Sequence, residues 1–273
     1  MPLLTFTSDI GQQDFVVGAV KGQLHTAIPN LTIADITHFL PQDNFAHATY
    51  ILKNAFKYYP DNTFHFILLN VFEADSLHFV VSKYNNQFII CPNHGILSMI
   101  ADGIPESSVV LPVINANNII QITEQVITAL AKIIATNSLE VIGTKGLSIV
   151  EKTLMTPTIG ENWIEGQILF IDNFENAVVN ITQELFENER KNRKFKIVFK
   201  RNEVVTKISK NYSSVSESHY LVWFNAAGYL ELAINKGAAA SLFGLETFKE
   251  KIQKEGLMAQ NKWFYRTVRI LFE

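Results

Sequence analysis

The chain has 273 residues, 48% hydrophobic and 18% charged, with a formal net charge of −3 and one cysteine. That length suits two domains with real cores. The slight acidity argues against a general nucleic-acid binder, which needs a local excess of Lys and Arg. Cys91 alone excludes an intramolecular disulfide and fits a reducing compartment.

The N-terminus runs straight into strand-like sequence, with no basic segment ahead of an apolar stretch, and no uncharged run approaches membrane-spanning length. A cytoplasmic protein without a signal peptide or membrane span is the expectation.

Leu3–Thr7 reads as a strand that ends on Ser8-Asp9-Ile10-Gly11, with a helix from Gln13 to His25. A carboxylate at the tip of a first strand stands where open α/β sheets bind ligands. Asp9 suits the two hydroxyls of a ribose and is the wrong sign for phosphate. It equally suits the N-cap of the following helix. No glycine-rich phosphate motif accompanies it.

Leu31–Ile36 predicts a strand, Phe45–Tyr59 a helix and Phe64–Asn70 a strand. Leu77–Ser82 and Gln87–Cys91 predict a hairpin turning at Tyr84-Asn85-Asn86. Cys91-Pro92-Asn93-His94-Gly95 then gives a tight turn opening a helix. Val109–Leu111 is a short strand and Ile120–Ala135 a helix. This alternation predicts an α/β domain over residues 1–150, with a mostly parallel sheet and helices on both faces.

Thr156–Gly160 reads as punctuation, with the boundary placed between 145 and 165. Short strands follow at Gln167–Ile171, Ala177–Ile181, Phe195–Phe199, Val204–Ile208, Tyr220–Phe224 and Tyr229–Ile234, interrupted by helical pieces at Gln183–Asn188 and Ala238–Leu242. They predict a smaller β-barrel domain over 160–273.

The seven histidines form no ligand pair of zinc spacing, and Cys91 with His94 makes only half a site, so no metal is expected. The basic run Glu189–Lys196 reads as a solvated turn beside an edge strand. Asp172-Asn173-Phe174-Glu175-Asn176 offers an acid, a ring and amides that suit a purine, or a plain β-turn with Asx capping. Asn225 to Asn235 is a turn into a strand.

Together these pieces resemble the S-adenosylmethionine hydroxide adenosyltransferases, relatives of the fluorinating and chlorinating enzymes. The resemblance rests on Ser8-Asp9-Ile10-Gly11, Lys21-Gly22, Ala34-Asp35-Ile36-Thr37-His38, Cys91-Pro92-Asn93-His94-Gly95, Asp172-Asn173-Phe174-Glu175-Asn176 and Gly228 through Asn235. It implies an α/β domain followed by a barrel, and a homotrimer with S-adenosylmethionine between the first domain of one subunit and the second of its neighbour. It implies no further cofactor.

It also implies that Asp9 accepts the ribose hydroxyls, that Asp172 receives the amino-acid part, and that Phe174 and Asn176 lie near the adenine. Pro92 and Asn93 would line the pocket, with Asn70 and Asn225 at family positions beside it. The water-handling Asp-Arg-His set of that family is absent: its positions hold Asn70, Leu77 and Gln121. Glu73 or Asp75 is the replacement carboxylate that the sequence offers. His94 stands for an asparagine, Glu175 for a glycine and Ala226 for a serine. Three functions follow: hydrolysis of S-adenosylmethionine to adenosine and methionine, non-catalytic binding of an adenosyl ligand, and a purely structural oligomer.

Overall fold

Strands built almost wholly of apolar residues need cover on both faces, and the first half of the chain supplies it with intervening helices. The computed structural model describes residues 1–73, 77–142, 148–200, 203–243 and 267–273. It divides into two units, Met1–Leu154 and Met155–Glu273.

In the first unit the elements run β1 (Leu3–Ser8), α1 (Val16–Ala27), β2 (Thr32–Thr37), α2 (Phe45–Phe56), β3 (Phe64–Leu68), β4 (His78–Tyr84), β5 (Gln87–Pro92), α3 (Ile96–Ala101), β6 (Ser108–Pro112) and α4 (Ile119–Thr136). The sheet order is β2-β1-β3-β5-β4-β6. The β1–β2, β1–β3 and β3–β5 pairs are parallel, and β4 is antiparallel to both its neighbours.

One face packs Leu4, Phe6, Phe66 and Leu68 against Val20 and Leu24 of α1 and Val126 and Leu130 of α4. The other packs Ile67, Leu69, Ile89 and Cys91 against Leu52 of α2 and Ile96 and Ile100 of α3. Strand residues alternate between the two cores, as the pleat requires. Helix α4 is long and apolar enough in composition to cross a membrane. Its apolar stripe of Ile122, Val126, Leu130 and Ile133 is buried in the first of these cores.

The β4–β5 hairpin turns at Asn85 and Asn86, with φ of 48° and 60°. Two left-handed residues match the twist of the flanking strands, and asparagine tolerates that region.

The second unit contains β7 (Thr158–Gly160), β8 (Trp163–Ile171), β9 (Ala177–Thr182), α5 (Gln183–Arg190), β10 (Phe195–Lys200), β11 (Glu203–Val205), β12 (Tyr220–Phe224), β13 (Tyr229–Ile234) and β14 (Thr267–Phe272). The strand order is β11-β10-β14-β8-β9-β13-β12, with β7 on β8. All these pairs are antiparallel. The end strands β11 and β12 approach each other, so the sheet curls into a nearly closed barrel. Phe186 of α5 plugs it among Phe195, Phe224 and Phe272.

The expectations for the second unit need correction. Thr158–Gly160 is a strand rather than punctuation, and β8 begins at Trp163, four residues early. The terminal strand β14, absent from the sequence reading, joins β10 to β8 at the middle of the sheet.

Candidate functional site

The chain leaves β1 for β2 on one side and returns to β3 on the other. The carboxyl ends of β1 and β3 therefore flank a topological switch point, where open α/β sheets form ligand crevices. Asp9 follows β1 and Asn70 follows β3. The Asp9 N–H donates to Leu68 O at 3.1 Å, and the Asn70 N–H donates to Asp9 Oδ2 at 2.8 Å. Burial pushes the Asp9 carboxyl above its ordinary value, against bonds from the Asn70 N–H and the Gln42 side chain that pull it down. Asp9 does not cap α1, whose N-cap is Phe15 without a side-chain bond.

A polar relay that runs from buried Ser8 and His38 out to the solvent-facing Asp35–Lys21 pair backs this loop. Ser8 Oγ and His38 Nδ1 are 2.8 Å apart, and His38 Nε2 lies 3.2 Å from Asp35 Oδ1, off the hydrogen-bond direction. Lys21 Nζ donates to Asp35 Oδ2 at 2.6 Å. Burial pushes the His38 imidazole below its usual value, with Asp35 opposing. The backbone closes the same clasp, as Gly11 N donates to His38 O and Leu40 N to Ser8 O.

Asn70 adopts φ +44°, and this left-handed turn brings the Glu73 N–H to Asn70 O at 3.1 Å. Asn70 Nδ2 in turn donates to Glu73 Oε2 at 3.3 Å. Lys152 Nζ lies 3.4 Å from Glu73 Oε1 and sits over the Phe45 ring, 4.1 Å from its centroid. Asp75 lies outside the described residues.

Lys152 arrives on a strap tied down at both ends. Asn93 Nδ2 donates to Ser148 O at 3.0 Å, and Val150 N donates to Asn93 Oδ1 at 2.9 Å. Ser98 Oγ donates to Lys152 O and accepts from Lys152 N. Gly95 makes room for this chain: its φ is +102°, and a Cβ there would fall 2.5 Å from Lys152 Cγ. The Asn93 amide, expected to line the pocket, thus holds the strap with both its ends.

Pro92 closes β5 beyond Ile90, the last residue paired with β3, so its missing N–H costs that ladder nothing. His94 is buried, donates Nε2–H to Leu69 O at 2.7 Å and packs on the Phe45 ring. Burial pushes its imidazole down. Cys91 is sealed in the core with its thiol pushed up to about 12, which removes any Cys91–His94 nucleophile. Among the described residues no three His, Cys, Asp or Glu side chains converge as metal ligands.

The other two positions that the resemblance assigns to water handling serve the fold. Leu77 packs against the core under α1 and α4. Gln121 sits in the first turn of α4, where its N–H bonds the Asn118 cap and its Oε1 accepts the Asn117 N–H.

In the second unit, Asp172 Oδ1 accepts from the N–H groups of Phe174 and Asn176, and Oδ2 accepts from Asn176 Nδ2 at 3.0 Å. The Asx turn and the acid-with-amide cluster are therefore one object. Asn176 Nδ2 also reaches Tyr212 Oη at 2.9 Å, and Tyr212 Oη and Trp223 Nε1 both donate to the buried Glu231. Burial and the Glu231 carboxylate push the Tyr212 phenol well above its usual value. Phe174 stands out of this network, 75% exposed.

Asn225 caps its own turn, accepting from Ala227 N and Tyr229 N. It does not adjoin Asp172. Along the β9–β13 ladder Ala177 pairs Leu232 and Thr182 pairs Tyr229, so the two turns mark opposite ends of that ladder. Lys152, Ser98 and Tyr212 carried no motif in the sequence, and only the folded chain brings them to these clusters.

An open α/β sheet with a carboxylate at its switch point, followed by an antiparallel barrel with an exposed aromatic turn, defines a two-domain protein with a candidate ligand site at the sheet edge. The chain belongs to the SAM hydroxide adenosyltransferase family. Residues 4–141 match its N-terminal domain and residues 166–251 its C-terminal domain.

The (R)-S-adenosyl-L-methionine hydrolase of Methanocaldococcus jannaschii is 23% identical over 106 residues, a stretch that spans 37% of this chain and 40% of that relative. An uncharacterized conserved protein from Thermotoga maritima superposes with a TM-score of 0.77 at 20% identity, over 98% of this chain and 99% of that one. A conserved hypothetical protein from Thermus thermophilus gives 0.71 at 21%, over 99% and 100%.

Proposed function

We propose that the protein binds S-adenosylmethionine and hydrolyses it to adenosine and methionine. The observation that carries this reading is the half-buried Asp9 carboxylate at the β1–β3 switch point, braced by the Asn70 N–H. An acceptor-only group so placed fits a vicinal diol. The family and the named hydrolase among the relatives support the same ligand.

In the reaction, water attacks the ribose 5′ carbon, the C5′–S bond breaks, and the electron pair stays on sulfur as neutral methionine leaves. The sulfonium needs little covalent help, so holding water and ribose in line supplies much of the rate. The exposed Phe174 ring is the stacking surface for adenine, and Asn176 lies beside it at the end of the barrel. A homotrimer, with Asp9 from one subunit and Phe174 from its neighbour, completes this proposal.

A second reading, an adenosyl-binding protein without turnover, is favoured by Leu77 and Gln121, which spend two water-handling positions on packing and helix capping. Incubating the purified protein with S-adenosylmethionine separates the two. Adenosine and methionine released in equal amounts, and absent from a heat-denatured control, support hydrolysis. Calorimetric binding of adenosine without turnover supports the binder. Neither binding nor turnover sinks both.

A further inference from the structure

We propose that Glu73 is the general base for the attacking water, held in place by Asn70 and Lys152. This rests on the hydrolysis reading above and names the group that replaces the missing set.

Three observations converge on it. First, Asn70 joins the two carboxylates: its backbone N–H bonds Asp9 Oδ2 and its side-chain amide bonds Glu73 Oε2. Asn70 thus links the carboxylate that would hold the ribose to a second carboxylate, that of Glu73. Second, Glu73 is neither sealed nor free. Its oxygens touch the Asn70 amide at 3.3 Å and the Lys152 ammonium at 3.4 Å, while its side chain remains 38% exposed. Those two contacts aim the carboxylate and leave lone pairs open to water.

Third, the strap that delivers Lys152 is fastened by four hydrogen bonds to Asn93 and Ser98, and Gly95 is bare beneath it. These bonds fix the backbone that carries Lys152, and its ammonium is then directed by the Phe45 ring on one side and the Glu73 carboxylate on the other, which makes it a positioning residue.

Two other titratable groups at this edge, Asp35 and His94, are committed elsewhere. Asp35 is held by Lys21 and His38, and His94 spends its N–H on Leu69 O inside a buried ring contact with Phe45.

In the step itself, Glu73 takes one proton from water as its oxygen bonds C5′, and the C5′–S pair departs with methionine. Glu73 then returns the proton to solvent. A positioned base of this kind contributes about 100- to 10,000-fold in rate.

Single-turnover formation of adenosine is compared in wild type, E73Q, E73D and E73A, with adenosine affinity measured by calorimetry on each. We expect E73Q to lose about 100-fold or more in rate at unchanged affinity, and E73D to retain part of the rate. Added formate, a small carboxylate, should restore turnover to E73A. Wild-type rate in E73Q overturns the role of Glu73 and leaves hydrolysis standing. Parallel loss of rate and affinity in E73Q also overturns it, because Glu73 would then hold the pocket. A wild type that binds adenosine and releases none from S-adenosylmethionine overturns hydrolysis itself, and the base with it.

Discussion

The Asn70 N–H donates to Asp9 Oδ2 at 2.8 Å, so the tips of β1 and β3 are joined by a residue that neither strand contains. The bond fixes one carboxylate oxygen and orients the other. It also explains how a partly buried acid keeps a defined direction with no cation beside it among the described residues.

Replacing Asp9 tests that geometry. Asp9→Asn keeps one acceptor and Asp9→Ala none, so adenosine affinity should fall in both and further in the alanine. Two charge-assisted bonds shielded from water contribute about 3 kcal/mol, or roughly 100-fold. Burial raises the Asp9 carboxyl above 3.8, so on acidification the wild type should begin losing affinity above that pH. Equal calorimetric affinities in all three proteins would remove Asp9 from the site.

Stability at acid pH turns on a different residue. His65 is fully buried, stacked on Phe56 at 3.6 Å, with Nδ1 2.8 Å from Thr5 Oγ1 and Nε2 3.1 Å from Gln87 Oε1. The Gln87 amide nitrogen is spent on the carbonyls of Phe56, Tyr59 and Pro60, so Gln87 Oε1 accepts and His65 carries its proton on Nε2. Burial holds this imidazole down at about 4, against 6.5 when unfolded. Between those values the unfolded chain binds the extra proton, so stability falls as pH drops through the window. From pH 7 to pH 5 the loss is about 2 kcal/mol. Urea unfolding at the two pH values measures it, and His65→Leu should flatten the slope while weakening the fold at pH 7.

The turn at Asp172–Asn176 carries strain that a single change removes. Glu175 sits at φ +67°, in the left-handed region, where the resemblance places a glycine. A non-glycine residue there costs about 1–2 kcal/mol, and glycine returns part of that as unfolded-state entropy. Glu175→Gly should therefore stabilise the protein by roughly 0.5–1 kcal/mol. Its backbone bond from Ala240 N to Glu175 O is kept. A lower melting temperature would show that the Glu175 side chain does more than occupy the turn.

Much of this was legible before folding. The parallel half announces itself through apolar strands spaced by helices, and Tyr84-Asn85-Asn86 through asparagine's tolerance of positive φ. Strand-end chemistry was legible too, since Asp9, Asn70 and Asn93 each follow an apolar run. Strand β7 was hidden because Pro157 and Gly160 read as a turn, although Gly160 is bare to admit the Trp163 ring. The terminal strand alternates cleanly between exposed and buried residues from Thr267 to Phe272, yet a six-residue run gives no clue to its central place in the sheet. Lys152 could not be read as part of the site at all. Its position depends on tertiary bonds from Asn93 and Ser98, residues more than fifty positions away.

Restoring the family aspartate at position 70 should slow turnover. The backbone N–H of residue 70 still reaches Asp9 in Asn70→Asp, so adenosine affinity should hold. The side chain changes sign of purpose: the amide that donates to Glu73 Oε2 becomes a carboxylate facing another one. Asp9, position 70 and Glu73 would then crowd three acids at one edge, with Lys152 the cation paired to Glu73. The partner arginine of the family cannot be supplied simply, because Leu77 is packed against the core. Losing one hydrogen bond that aims the base removes about 1–1.5 kcal/mol, or roughly tenfold in rate. Single-turnover rates of Asn70→Asp and Asn70→Ser, set beside calorimetric affinities, measure this. A faster Asn70→Asp would mean that water is handled from position 70 and that Glu73 is a bystander.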